Sequence, residues 1–182
     1  MSDTSMINEL PGELLMWVLI ISELLVFGAG LIAFMGVRLT DPVGFAEAQS
    51  HLHRTGAALN TIVLVTSGYL AAQALRWRQA AQQVAARLAL IGAASLGILF
   101  LIIKGAEYAD KAAQGITFET HPFFMFYYLL TGFHAAHVLA GVGILLFVAW
   151  RDHTRNIEAG AQFWHMVDLV WIMLFPVIYI LG

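Results

Sequence analysis

The sequence predicts an all-α fold, an integral membrane bundle of five transmembrane helices. Three observations carry that expectation. The 182-residue chain is 60% hydrophobic and only 12% charged, against about 25% charged residues in an ordinary soluble domain. Its mean hydropathy is +0.77. Five apolar stretches reach the length of roughly 20 residues that a membrane helix needs. Polar surface is too scarce to cover a water-soluble globule of this size, so the surplus apolar surface faces lipid. Backbone groups in lipid must pair within their own segment, which makes each stretch a helix.

The first stretch, Leu14–Val37, contains Glu23. It has no basic segment before it and is too long for the apolar region of a cleavable signal. The others are Ala57–Leu75, Val84–Ile103, Phe123–Trp150 and Gln162–Leu181. The connections are short: RLTDPVGFAEAQSHLHR, RWRQAAQQ, GAEYADKAAQGITFETHP and RDHTRNIEAGA. None holds a separate soluble domain, so residues 1–182 read as a single transmembrane domain. Pro176 removes one hydrogen bond from the last helix and predicts a kink there. Trp17, Trp77, Trp150 and Trp164 fall near span ends, as interfacial aromatics do.

Charge narrows the class further. Nine Lys and Arg against twelve Asp and Glu give a formal net charge of −3, which argues against nucleic acid as a partner. No cysteine is present, which excludes disulfides and thiolate metal sites. With five spans, Arg76, Arg78, Arg87, Arg151 and Arg155 share the side of the N-terminus. Arg38, Arg54, Lys104 and Lys111 fall on the other. That bias puts the N-terminus in the cytoplasm and the C-terminus in the periplasm, in a multi-pass protein of a bacterial inner membrane.

The informative residues are ionisable and deep. Glu23 lies inside the first span, His134 and His137 near the middle of the fourth, and His165 and Asp168 in the fifth. Such groups are costly in hydrocarbon and normally face the bundle interior, paired with one another. His134 and His137 are three residues apart, as are His165 and Asp168, so each pair shares one helical face. The expectation is a hydrogen bond from His134 or His137 to Glu23 or to the His165–Asp168 face. Three readings of this cluster stay open on spacing alone. It is a set of interhelical hydrogen bonds that fixes register, a metal or haem site built on histidine, or a proton path through Glu23.

The ordered motifs resemble cytochrome c oxidase subunit III. GFHAAHVLAGVGILLFVAW followed by AQFWHMVDLVWIMLFPVIYIL is similar to that family's last two helices, including Gly141, Trp164 and Trp171. SELLVFGAGLIAF resembles its helix with a buried glutamate, at Glu23. LNTIVLVTSGYLAAQAL resembles its Asn-Thr and Ser-Gly helix, at Asn60, Thr61, Ser67 and Gly68, and GAEYAD its Glu-Tyr pair, at Glu107 and Tyr108. Longer members have seven helices, and this chain begins at what would be their third. Short five-helix forms belong to some quinol oxidases and to proteins encoded with nitric oxide reductases, and the HPFFMFYYLLTGFH segment looks most like the latter branch. Lys104 stands where longer members tend to have glutamine; it can pair with Glu107 or snorkel.

The resemblance implies an accessory, non-catalytic subunit with no cofactor of its own and no metal. Haem, with copper or non-haem iron, would sit in a partner catalytic subunit of a haem-copper oxidase or nitric oxide reductase complex. The family role implies assembly of that partner, binding of phospholipid and other membrane lipids, and support of proton uptake in respiratory electron transport, including denitrification. A stand-alone transporter or proton-handling protein is the alternative, followed by a histidine-based membrane metalloenzyme.

Overall fold

The computed structural model describes residues 14–151 and 154–181. Most of these residues are helical: α1 Leu14–Arg38, α2 Pro42–Ser50, α3 Arg54–Gln79, α4 Gln83–Ala113, α5 Pro122–Arg151 and α6 Thr154–Phe175. A π-helical turn, Pro176–Ile180, continues α6. Five of these helices are long and apolar enough to cross a membrane, as the composition predicts. Residues 1–13, Asp152, His153 and Gly182 lie outside the described residues, and with them part of the predicted last connection and of the single-domain reading.

Helices α3, α4, α5 and α6 form a ring in which each packs on its two neighbours. In this ring α4 stands diagonally across from α6. Helix α1 flanks the ring along α5 and α6. Trp164 of α6 fills the centre, fully buried. A Cβ built on Gly141 of α5 would lie 2.5 Å from its Cε3, and one on Gly97 of α4 would lie 2.6 Å from its Cη2. The two glycines thus form the slot that the indole occupies. Its Nε1 donates to Ser67 Oγ at 3.0 Å, and Ser67 Oγ donates in turn to the Ala93 carbonyl at 2.7 Å. One side chain therefore ties four helices together.

Three features depart from the sequence-based expectation. The first connection contains a helix, α2. Asp41 caps it by accepting from Gly44 N–H at 3.0 Å, and Pro42 starts it with a preset φ. Phe45 anchors it against Phe34 and Phe123. Second, α4 runs about ten residues beyond the apolar stretch and takes GAEYADKAA into the helix. Its polar residues do not end the helix because Lys104, Glu107 and Lys111 are buried and paired within the protein. Third, the proline distortion takes the form of a widened turn, with Leu181 N–H donating to the Pro176 carbonyl at 2.9 Å. Buried Gln49 of α2 donates to the Ile178 carbonyl at 2.8 Å and so satisfies a backbone group of that turn.

The α3–α4 connection is tight. Ala81 takes φ +60°, and Gln82 N–H donates to the Trp77 carbonyl at 2.8 Å. The same closure ends α4, with Gly115 at φ +73° and Ile116 N–H donating to Lys111 at 3.0 Å. Both are left-handed helix C-caps, the second on the residue type that fits that conformation best.

Candidate functional site

The deep polar residues fall into three sets. The first spans α1 and α5. His137 Nε2 stands 3.2 Å from Glu23 Oε2, and both side chains are about four-fifths buried. His137 Nδ1 lies 2.9 Å from the Phe133 carbonyl. A carbonyl only accepts, so Nδ1 carries a proton, and Nε2 of a neutral ring then carries a lone pair. Nε2 and Oε2 are close enough for an ion pair, but no hydrogen bond joins them among the described residues, and Oε2 is buried without a hydrogen-bond partner.

His134 shares this region but not this contact. It is fully buried, stacked on Trp171 at 5.2 Å and edge-on to Phe27 and Phe100. Neither of its ring nitrogens has a hydrogen-bond partner among the described residues. Of the two histidines, His137 meets Glu23, and among the described residues no hydrogen bond joins either to the His165–Asp168 face. The reason is orientation: His137 turns toward α1, whereas His134 turns into the aromatic core.

The second set lies between α3 and α6. Asp168 Oδ2 sits against the Gly68 backbone in space that any Cβ would fill. His165 Nδ1 is 3.8 Å from that oxygen. Asp168 is buried, whereas the His165 side chain is 48% exposed. Nearby, Trp171 Nε1 donates to Thr61 Oγ1 at 3.0 Å, and Asn60 Nδ2 to the Phe100 carbonyl at 3.5 Å. The motif residues Asn60, Thr61, Ser67, Gly68, Gly141, Trp164 and Trp171 thus serve helix-to-helix contact.

The third set was only half legible in the sequence. Lys104 Nζ, buried in α4, donates to Glu107 Oε2 at 2.9 Å, to Tyr127 at 3.2 Å and to Tyr179. Tyr179 donates back to Glu107 Oε1 at 3.1 Å. Four aromatic rings surround the ammonium within 5.6 Å, an arrangement that favours a cation. Tyr108 pairs with Thr131 at 2.6 Å beside this cluster. Of the two fates open to Lys104, pairing with Glu107 is the one adopted. Tyr127 and Tyr179 belong to apolar-looking runs, and only the topology brings them to Lys104.

Glu107 also walls an open polar cleft of about 840 Å³ with Ser50, His53, Arg54, Thr55 and Asp110. Among the described residues no three metal-binding side chains converge.

The family model for cytochrome c oxidase subunit III matches residues 10–182. Cytochrome c oxidase subunit 3 of Corynebacterium diphtheriae is 31% identical over 173 residues, covering 89% of this chain and 84% of that protein. The protein of the same name from Synechocystis is 29% identical over 171 residues, 89% of this chain and 72% of its own length. A haem-copper oxidase subunit I+III of Aeropyrum pernix is 29% identical over 180 residues, 91% of this chain and 22% of that longer protein. With Trp164 held between Gly97 and Gly141 and the motif residues at the helix contacts, this chain belongs to the cytochrome c oxidase subunit III family.

Proposed function

We propose that the protein is an accessory membrane subunit that packs on the catalytic subunit of a haem-copper oxidase complex and supports its assembly and proton uptake. The observation that carries this reading is the family match over residues 10–182. The named relatives are oxidase subunits, and one joins subunits I and III in a single polypeptide. A terminal oxidase is accordingly the first expected partner, and a nitric oxide reductase, the denitrification branch, the second.

The chemistry of the chain fits such a role. Several of its buried polar residues bond across helices, Trp164 to Ser67, Trp171 to Thr61 and Lys104 to Tyr127 and Tyr179, as helix-fixing groups do. Glu23 and His137 place a carboxyl group and an imidazole side by side near the α1–α5 surface, two kinds of side chain that can take up and release protons, as a role in proton uptake requires. A neighbouring apolar groove of about 280 Å³, lined by Val26, Phe27, Gly30, Leu129, Leu130 and Phe133, suits a phospholipid acyl chain. The bacterial inner membrane, with the N-terminus cytoplasmic, remains the expected setting.

Solubilisation in mild detergent at native expression, followed by capture of this chain, is the test. The expected result is a stoichiometric haem-bearing partner; metal analysis of that partner separates copper from non-haem iron and so the oxidase from the reductase. Repeated recovery of this chain alone would overturn the accessory reading, and a stoichiometric metal on the isolated chain would favour the metalloenzyme.

A further inference from the structure

One polar group at mid-membrane depth faces outward. His165 is ten residues into the span Asn156–Ile180, about 15 Å from its start. Its side chain is 48% exposed. The histidine and carboxylate side chains Glu23, His134, His137 and Asp168 at comparable depth are mostly or wholly buried. The outward stripe of α6 is otherwise apolar toward the far side, with Leu169 and Ile172 about half exposed. Hydrocarbon offers an imidazole nothing to bond with, and Asp168 at 3.8 Å covers only the Nδ1 edge, so the exposed edge of the ring is a cost that this contact does not offset.

The placement is also built. Asp168 fits against α3 because residue 68 is glycine, and its carboxylate faces His165 Nδ1. The carboxylate favours a proton on Nδ1. Nε2, on the far edge of the ring, is left as a hydrogen-bond acceptor. Asp168 is thus a positioning residue for an acceptor aimed out of the bundle.

We infer that His165, oriented by Asp168 over Gly68, is a contact point for the catalytic subunit, which supplies a hydrogen-bond donor from a membrane-embedded helix. This rests on the accessory-subunit reading. A relative that carries subunits I and III on one chain makes that subunit the neighbour with a claim on this face. The outward side of α4 lies diagonally across the ring and serves as the comparison face.

Two variants and two photo-crosslinking positions test the inference in the complex captured from native membranes. His165→Leu suits a lipid-facing site, so the chain should keep its own thermal stability while recovery of the haem-bearing subunit falls several-fold. His165→Gln keeps an acceptor and should restore most of that recovery. A photoreactive residue at Leu169 should crosslink to the haem-bearing subunit, and one at Ile102 on α4 should not. Undiminished recovery with His165→Leu, or crosslinks from Leu169 only to lipid or to a second copy of this chain, would overturn the inference while leaving the accessory reading in place. Failure of the unaltered chain to bring down any haem-bearing subunit would overturn both.

Discussion

Glu23 of α1 and His137 of α5 face each other at 3.2 Å across a helix boundary, with the second nitrogen of the ring committed to the Phe133 carbonyl. The contact lies where α1 docks on α5, beside the apolar packing of Phe27 on Phe133.

Glu23→Gln should leave α1 docked, because the amide keeps the size of the side chain and can donate to Nε2. Glu23→Ala removes that group and leaves a void, at a cost of about 1–3 kcal/mol for the stranded partner. Thermal unfolding in detergent compares the two, and turnover of the captured complex adds the proton. Equal stability of both variants would remove the docking role. Lost turnover in Gln with assembly intact would assign the carboxyl proton a part in uptake.

The Trp164 slot predicts a contrast between two glycines of one helix. Gly141→Ala puts a methyl group 2.5 Å from the indole, and such overpacking costs about 1–3 kcal/mol. Gly143→Ala meets nothing within 4 Å and should be neutral or slightly stabilising, since alanine is the better helix former. Unfolding followed by tryptophan fluorescence measures both. Similar losses at the two sites would mean that helix flexibility, not the slot, explains residue 141.

Much of this was legible in sequence, for identifiable reasons. Long apolar runs report spans directly, because lipid imposes one backbone solution. Glu23 and His137 stood out because charge is conspicuous in such runs. The Lys104–Glu107 pair was legible from its spacing, but Tyr127 and Tyr179 were not, because tyrosines look like interfacial anchors, and the GAEYADKAA segment looks like a loop when burial is unknown. Which way each histidine turns also escaped the reading: residues three apart on a helix differ by enough rotation to send His137 to α1 and His134 into the core.

Ala81 offers a stabilising change. A left-handed backbone costs an ordinary L-residue about 1–2 kcal/mol, and the equivalent cap of α4 already has Gly115. Ala81→Gly should raise stability by up to about 1 kcal/mol, the relief being partly offset by the freer unfolded chain. A lowered melting temperature would show that the Ala81 methyl group does something the backbone geometry does not reveal.

Asp41 gives a pH signature outside the spans. Gly44 N–H, and then His121 at 3.1 Å, hold its carboxyl below the ordinary value of 3.8. A depressed folded value means that the cap contributes fully above the unfolded value. The contribution is lost as pH falls through the lower folded one. The side chain is about half exposed, so solvent screening keeps the effect small and local. Carboxyl NMR titration in micelles should find Asp41 below the ordinary value, and His121→Ala should move it partway back; a titration at or above 3.8 contradicts the cap geometry.

Lys104 and Glu107 make the sharpest energetic prediction. Both are buried, and each holds the other together with Tyr179. Removing one member of a buried pair strands the other, typically at about 3–5 kcal/mol, whereas replacing both with apolar residues is often neutral. Lys104→Met should therefore destabilise strongly, and Lys104→Met with Glu107→Leu should recover most of the loss. Denaturation in mild detergent gives the three free energies. Additive losses in the double variant would mean that Lys104 and Glu107 act independently, with the tyrosines rather than each other as their partners.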